Sequence, residues 1–322
     1  MGEILDRLLQ DSDPILQYKI RLVVLREDPS SDVMRTLAEL TRNCEFISTL
    51  LSEQDSTCRI PLSPYKKWNG AHWVLHVLSD LCYPPGDERL RPLMEQDVEW
   101  IFSDQRMGWV IRRTKLAGGS PVRACATMES TTLLSMLRLG FMDARCDQLV
   151  KRLLSWQWSD GGWNCDMNPD AKISSFMESL LPLRALNLYI KVTGDSKAAS
   201  AMERTTDIFL KRNLFRKLID GSVMDTDFIK LHYPCYWHYD VLNGLKAMAE
   251  CGFLSDPRCG EALDYLESRK LLDGGFPADS KYYHHKLETS GTSLVDWGPV
   301  SRKKLNPYVT TDALYVLSVA GR

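Results

Sequence analysis

Helical runs of two kinds take turns along this chain, and that alternation restricts the fold more than any other feature. One kind is amphipathic: in residues 145–156, Leu149, Val150, Leu153 and Leu154 form one stripe, with Asp147, Lys151 and Arg152 opposite. Runs over 88–103, 197–213 and 257–269 follow the same pattern. The last opens on Asp256-Pro257, a side-chain cap followed by proline in the first turn, where its missing N–H costs nothing. The other kind is apolar nearly all round and covers 71–81, 127–139, 175–190, 238–251 and 308–319. A helix without a polar face is normally enclosed by neighbours. The alternation therefore predicts an all-α fold of the α/α toroid type, a barrel of five to six helical hairpins with the apolar helices as inner ring and the amphipathic ones as outer ring. Strand signals are nearly absent. Residues 1–50 supply two further helical runs, broken at Asp28-Pro29-Ser30, that complete or cap the ring. No segment reads as a linker, so residues 1–322 are expected to form a single domain.

A net charge of -2 gives no electrostatic case for binding nucleic acid or an anionic membrane surface. No apolar run approaches the roughly 18 residues that span a bilayer, and the opening Met1-Gly2-Glu3-Ile4-Leu5-Asp6 lacks the basic-then-apolar pattern of a signal peptide. The nine cysteines are scattered, odd in number and without a C-x-x-C pair, which favours a reducing compartment over a disulfide framework and predicts a cytoplasmic protein.

A turn punctuates the alternation twice. Gln157-Trp158-Ser159-Asp160-Gly161-Gly162-Trp163 ends one amphipathic run, and Lys270-Leu271-Leu272-Asp273-Gly274-Gly275-Phe276 ends another. Recurrence of helix, turn and helix points to a repeat architecture. Asn213 to Gly221 and Phe102 to Trp109 read as eroded copies of the turn. Aligning the inner runs places Glu129, Glu178, Asp240 and Asp312 near their starts, with His72 at the equivalent place in the first. Equivalent positions in a ring converge on one end of its cavity. A carboxylate in a first helical turn also simply favours the macrodipole, by about 0.3–1 kcal/mol. That effect does not account for the neighbouring residues of catalytic type: Cys125 before Glu129, Cys165 and Asp166 before Glu178, and His238 before Asp240.

On these residues the chain resembles the prenyltransferase and squalene-cyclase repeat superfamily. Gln157 through Trp163 fits that family's repeat of glutamine, two residues, aspartate, glycine, any residue and tryptophan at every defined position. The copy at 270–276 fits in part. The resemblance implies an α/α toroid, a structural role for the turns, which tie each outer helix to the next inner one, and chemistry on an isoprenoid or similarly apolar substrate in a central cavity. The aspartate-rich acid motif of the family's cyclases is absent, and Asp225-Thr226-Asp227 echoes it only in a polar loop. A cyclase reaction here is therefore expected to use another buried carboxyl as proton donor, first Asp240 and then Glu178, with His238, Asp166 and Glu129 as further catalytic candidates. His72, Trp163, Trp237, Tyr239 and Asp312 are the candidate substrate-binding residues, because aromatic faces stabilise cations, although they pack helices equally well. The alternative is a zinc enzyme like the protein prenyltransferases or the lanthionine-forming cyclases, with Cys125, Cys165 and His238 as ligands, since thiolate and imidazole form open three-ligand sites. A third reading is a toroid that binds a ligand or partner without catalysis.

Overall fold

The computed structural model describes residues 2–285 and 290–322; Met1 and residues 286–289 lie outside the described set. Its helices are α1 (Gly2–Asp11), α2 (Pro14–Lys19), α3 (Asp32–Arg42), α4 (Glu45–Leu50), α5 (Ala71–Asp80), α6 (Arg91–Ile101), α7 (Asp104–Leu116), α8 (Ala126–Arg138), α9 (Ala144–Trp156), α10 (Phe176–Thr193), α11 (Ser196–Leu210), α12 (Val241–Cys251), α13 (Gly260–Ser268) and α14 (Pro307–Ala320). A π-helical turn, Ile20–Val24, continues α2. The strands described are one short parallel pair, His284–His285 with Thr292–Ser293. Among the described residues no helix is long and apolar enough to cross a membrane.

The five apolar runs are α5, α8, α10, α12 and α14, and each packs on the next in that order. Their flanks carry the amphipathic helices: α6 lies on α5, α9 on α8, α11 on α10 and α13 on α12. Local chemistry sets the ends. Asp143 and Asp195 cap α9 and α11 through Arg145 N–H and Ala198 N–H, and Asn306 caps α14, where Pro307 occupies the first turn. Side chains from all five apolar helices then meet. Lys246 of α12 holds Asp80 of α5 at 3.0 Å and Asp312 of α14 at 2.8 Å. Arg184 of α10 also reaches Asp80, at 3.0 Å, and Arg138 of α8 reaches Glu250 of α12, at 3.0 Å.

The turn at 157–163 braces this arrangement. Gly161 sits at φ +104, and a Cβ on Gly162 would fall 2.5 Å from Ser179 Oγ, so the chain crosses α10 at a distance only glycine permits. Trp163 is buried; its indole N–H donates to Leu153 C=O of α9 (3.0 Å) and its backbone N–H to Ser179 Oγ of α10 (3.1 Å). The second copy repeats the last bond, with Phe276 N–H donating to Thr310 Oγ1 of α14 (2.9 Å). Gln157 behaves differently from expectation. Its amide donates to Gly161 C=O and to Ala201 C=O of α11, so it joins one amphipathic helix to the next.

Two further differences have local causes. Residues 102–109 are not a turn copy: Phe102 ends α6, Ser103 caps α7 by accepting from Arg106 N–H, and Trp109 lies inside that helix. A serine cap with Asp104 in the first turn is a helix start. Residues 1–50 form four short helices rather than two runs, with the expected break at 28–30 intact.

Candidate metal centre

Cys125 is the residue preceding α8, and Glu178 lies in the first turn of α10, its neighbour. The loop from the Trp163 turn to α10 brings Cys165 between them. Together the two sulfurs and a Glu178 carboxylate oxygen lie within 4.8 Å of one another. The loop is held from several sides. Arg113 of α7 donates to Cys165 C=O, Arg123 to Ala171 C=O at 3.2 Å, and Asp160 of the turn accepts from Ser174 N–H at 2.7 Å. Glu178 is 7% exposed; Oε2 accepts from Thr127 N–H (3.2 Å) and Thr127 Oγ1 (3.3 Å), while Oε1 shares a hydrogen bond with Cys165 Sγ (3.3 Å). Both cysteines keep partial exposure.

The electrostatics separate the three groups. A hydrogen bond from the Cys125 thiol brings Cys165 down to about 6 against the opposing effect of burial, with Glu178 and Arg113 assisting. The same hydrogen bond, then burial, raises Cys125. Burial, reinforced by the charge of Cys165, holds Glu178 well above the ordinary carboxyl value. Tyr65 belongs to the same surroundings: burial raises its phenol first, and the negative groups Cys125, Glu178 and Cys165 add to the effect. Its ring packs against His72 at 5.7 Å.

Zinc takes thiolate sulfur at about 2.3 Å and carboxylate oxygen at about 2.0–2.2 Å, so tetrahedral ligands stand roughly 3.5–3.8 Å apart. Two thiols and a carboxyl within the observed span fit that ion, and the partly exposed cysteines leave a side open.

The other candidate residues have different surroundings. Glu129, one turn along α8 from Cys125, is fully buried and paired with Arg106 at 2.9 Å, with Arg152 at 3.9 Å. Asp166 is exposed and accepts from Asn168 N–H in a turn. His72 is buried, its Nδ1 2.9 Å from Asp97 Oδ1, and its Nε2 has no hydrogen-bond partner. Asp312 is the shared counter-ion of Lys19 and Lys246. Trp163 is the brace described above. Tyr239 is buried, with its hydroxyl donating to Leu214 C=O at 2.6 Å.

His238 does not join the cysteines; Glu178 takes the place expected for it. The His238 ring is stacked between Trp237 (3.8 Å) and Tyr282 (3.5 Å), with Nδ1 3.1 Å from Cys235 C=O, because an imidazole beside two large rings gains more from stacking than from the polar loop. Asp240 is fully buried as the cap of α12. It accepts from Asn243 N–H (2.8 Å), His232 N–H (2.9 Å) and Cys235 Sγ (3.3 Å). His232, Cys235 and Asp240 form a second trio within ligand distance, but all three are buried and already bonded to one another through the Asp240 carboxylate. Sequence reasoning missed Tyr65, Asp97, Arg106, Arg113 and His232. None stands at a helix start beside a cysteine, and no short-range spacing ties any of them to Cys165.

A small void lies among α5, α10 and α12. Bounded by His76, Leu180, Leu181, Tyr233, His238 and Asn243, it measures about 10 Å³, room for roughly one water. Beside it, burial lowers His76 to about 3, with Asp80 opposing. The neutral imidazole thus binds its proton less readily in the fold than in the unfolded chain, where the value is near 6.5. Its contribution to stability is complete above pH 6.5 and is lost as pH falls toward 3. Urea midpoints at pH 7, 5.5 and 4.5 should fall less steeply for His76→Gln than for the parent protein; parallel declines would remove His76 as the cause.

No family model, no curated protein and no solved structure matches this chain.

Proposed function

We propose that this protein is a zinc-dependent enzyme on an α/α toroid, with Cys125, Cys165 and Glu178 as its metal ligands. The observation that carries the reading is convergence: three donors from the start of α8, a connecting loop and the first turn of α10 come within 4.8 Å. The toroid is supported by the succession of inner helices and by Asp80 and Asp312, from the first and last of them, sharing Lys246. Zinc bound by three protein ligands supplies a Lewis acid and an open position for water or a substrate thiol. The chain's own residues prepare that position. Thr127 orients the Glu178 carboxylate, and Arg113 fixes the loop that carries Cys165.

A second reading retains one observation. Glu178 is a buried carboxyl with a raised pKa, as an acid-initiated cyclase on an isoprenoid-like substrate requires. The convergence of two thiols on the same carboxylate favours the metal reading. Bound-metal analysis of the full chain after reconstitution with zinc and dialysis separates them. One zinc per chain is expected, with cobalt substitution giving thiolate-to-metal charge-transfer absorption. Protein that retains no metal would sink the zinc reading and leave the acid.

A further inference from the structure

At the far end of the inner helices, the length of α8 away from Cys125 (about 20 Å for 13 residues), lies a cleft of about 670 Å³. That volume falls within the range of small-molecule sites, about 300–1,000 Å³. Its walls are apolar: Leu22 and Val23 of the π-helical turn, Tyr83 and Pro85 after α5, and Tyr315 and Val319 of α14. Its floor is charged. Lys19, Arg138 and Lys246 line it, with Arg184 behind them, and the carboxylates facing these cations are Asp80, Glu250 and Asp312. Four cations thus meet three carboxylates, and the exposed Arg26 lines the same cleft, so its cations outnumber its carboxylates.

Asp80 and Glu250 are both held below the ordinary range by the surrounding cations in spite of burial. Lys19 is 1% exposed and touches Asp312 Oδ1 at 2.7 Å, yet its ammonium makes no well-formed hydrogen bond. Behind it the Tyr233 hydroxyl is buried with no partner, and Lys19 lies 5.3 Å over that ring. A buried cation with unused donors, set in an apolar-walled cleft, lowers its free energy by accepting an anion.

We infer that this cleft binds a small amphiphile with an anionic head, a medium-chain carboxylate, the head on the cations that line the cleft and the chain along Leu22, Tyr315 and Val319. An anionic head offsets the excess of positive charge, and a neutral alcohol would leave it as it is. The inference is independent of the zinc reading, because the two sites share no residue.

Calorimetric titration of the full chain with decanoate, decanol and decylamine tests it. Decanoate should bind at least about tenfold more tightly than decanol, and decylamine should not bind measurably; a tenfold ratio is ~1.4 kcal/mol. Ala249→Trp fills the cleft from α12 without removing a charge, and should weaken decanoate by at least about tenfold at unchanged melting temperature. If that variant does not fold, Val319→Trp blocks the cleft from α14. Cys165→Ser should bind decanoate like the parent. Equal affinity for decanoate and decanol, no binding of decanoate, or full binding by a folded blocking variant would each overturn the inference.

Discussion

Replacing Cys165 with serine should abolish stoichiometric zinc binding while leaving the protein folded. Cys165 sits on a loop held by Arg113, Arg123 and Asp160 rather than in the core, so its loss removes a ligand and little packing. Changes to residues that merely orient metal ligands already cost about 10–100-fold in affinity, so loss of a thiolate ligand should exceed about a hundredfold. Cys125→Ser should behave alike, and Glu178→Gln should weaken the metal less, because an amide oxygen keeps a neutral donor in place. His238→Ala is the informative contrast. Its ring lies in the Trp237–Tyr282 stack, so zinc affinity should not change. Competition with a chromophoric chelator measures all four, and a His238→Ala protein that loses zinc would overturn the ligand assignment.

Arg106→Met should destabilise the fold by about 3–5 kcal/mol, the usual cost of stripping the partner from a buried charge. Glu129 is fully buried, and Arg106 at 2.9 Å is its close partner; Arg152 stands off at 3.9 Å. Burial already raises the Glu129 carboxyl in the presence of both arginines, so losing the nearer one would drive it to take up a proton. The double variant Arg106→Met with Glu129→Met should recover most of the loss, since two apolar side chains of similar volume need no counter-charge. Denaturant unfolding of the three proteins measures it. A single variant as stable as the parent would show that Arg152 alone neutralises Glu129.

These two results bear on residues that looked alike in sequence. Glu129, Glu178, Asp240 and Asp312 each stand near the start of an inner helix, yet only Glu178 lies beside the two cysteines. Glu129 answers Arg106, Asp240 caps α12, and Asp312 bridges two lysines. The position of a carboxylate along its helix is visible in the sequence. Which cation or amide faces it depends on neighbours far away in the chain, such as Arg106 on α7, a helix read as a turn, or Lys19 on α2. Cys125 and Cys165 were legible as candidate ligands because each lies ahead of an apolar helix, Cys125 directly before α8 and Cys165 on the loop that leads to α10. Their third partner was not, since His238 and Glu178 occupy comparable positions and only the aromatic stack around His238 separates them.

Beyond residue 50 and apart from α7, the sequence by itself determined the helices and their two classes, because side-chain periodicity, caps and glycine turns act within a few residues of where they are written. The structural role of Gln157 to Trp163 was implied by the family resemblance, and the close crossing of α10 at Gly162 shows the turn as a brace. The tertiary structure alone decided that Cys125, Cys165 and Glu178 form one cluster and that Lys19, Lys246 and Asp312 form another. Both depend on how the inner helices lie beside one another, and that is set by the packing of apolar faces that carry no address for a partner.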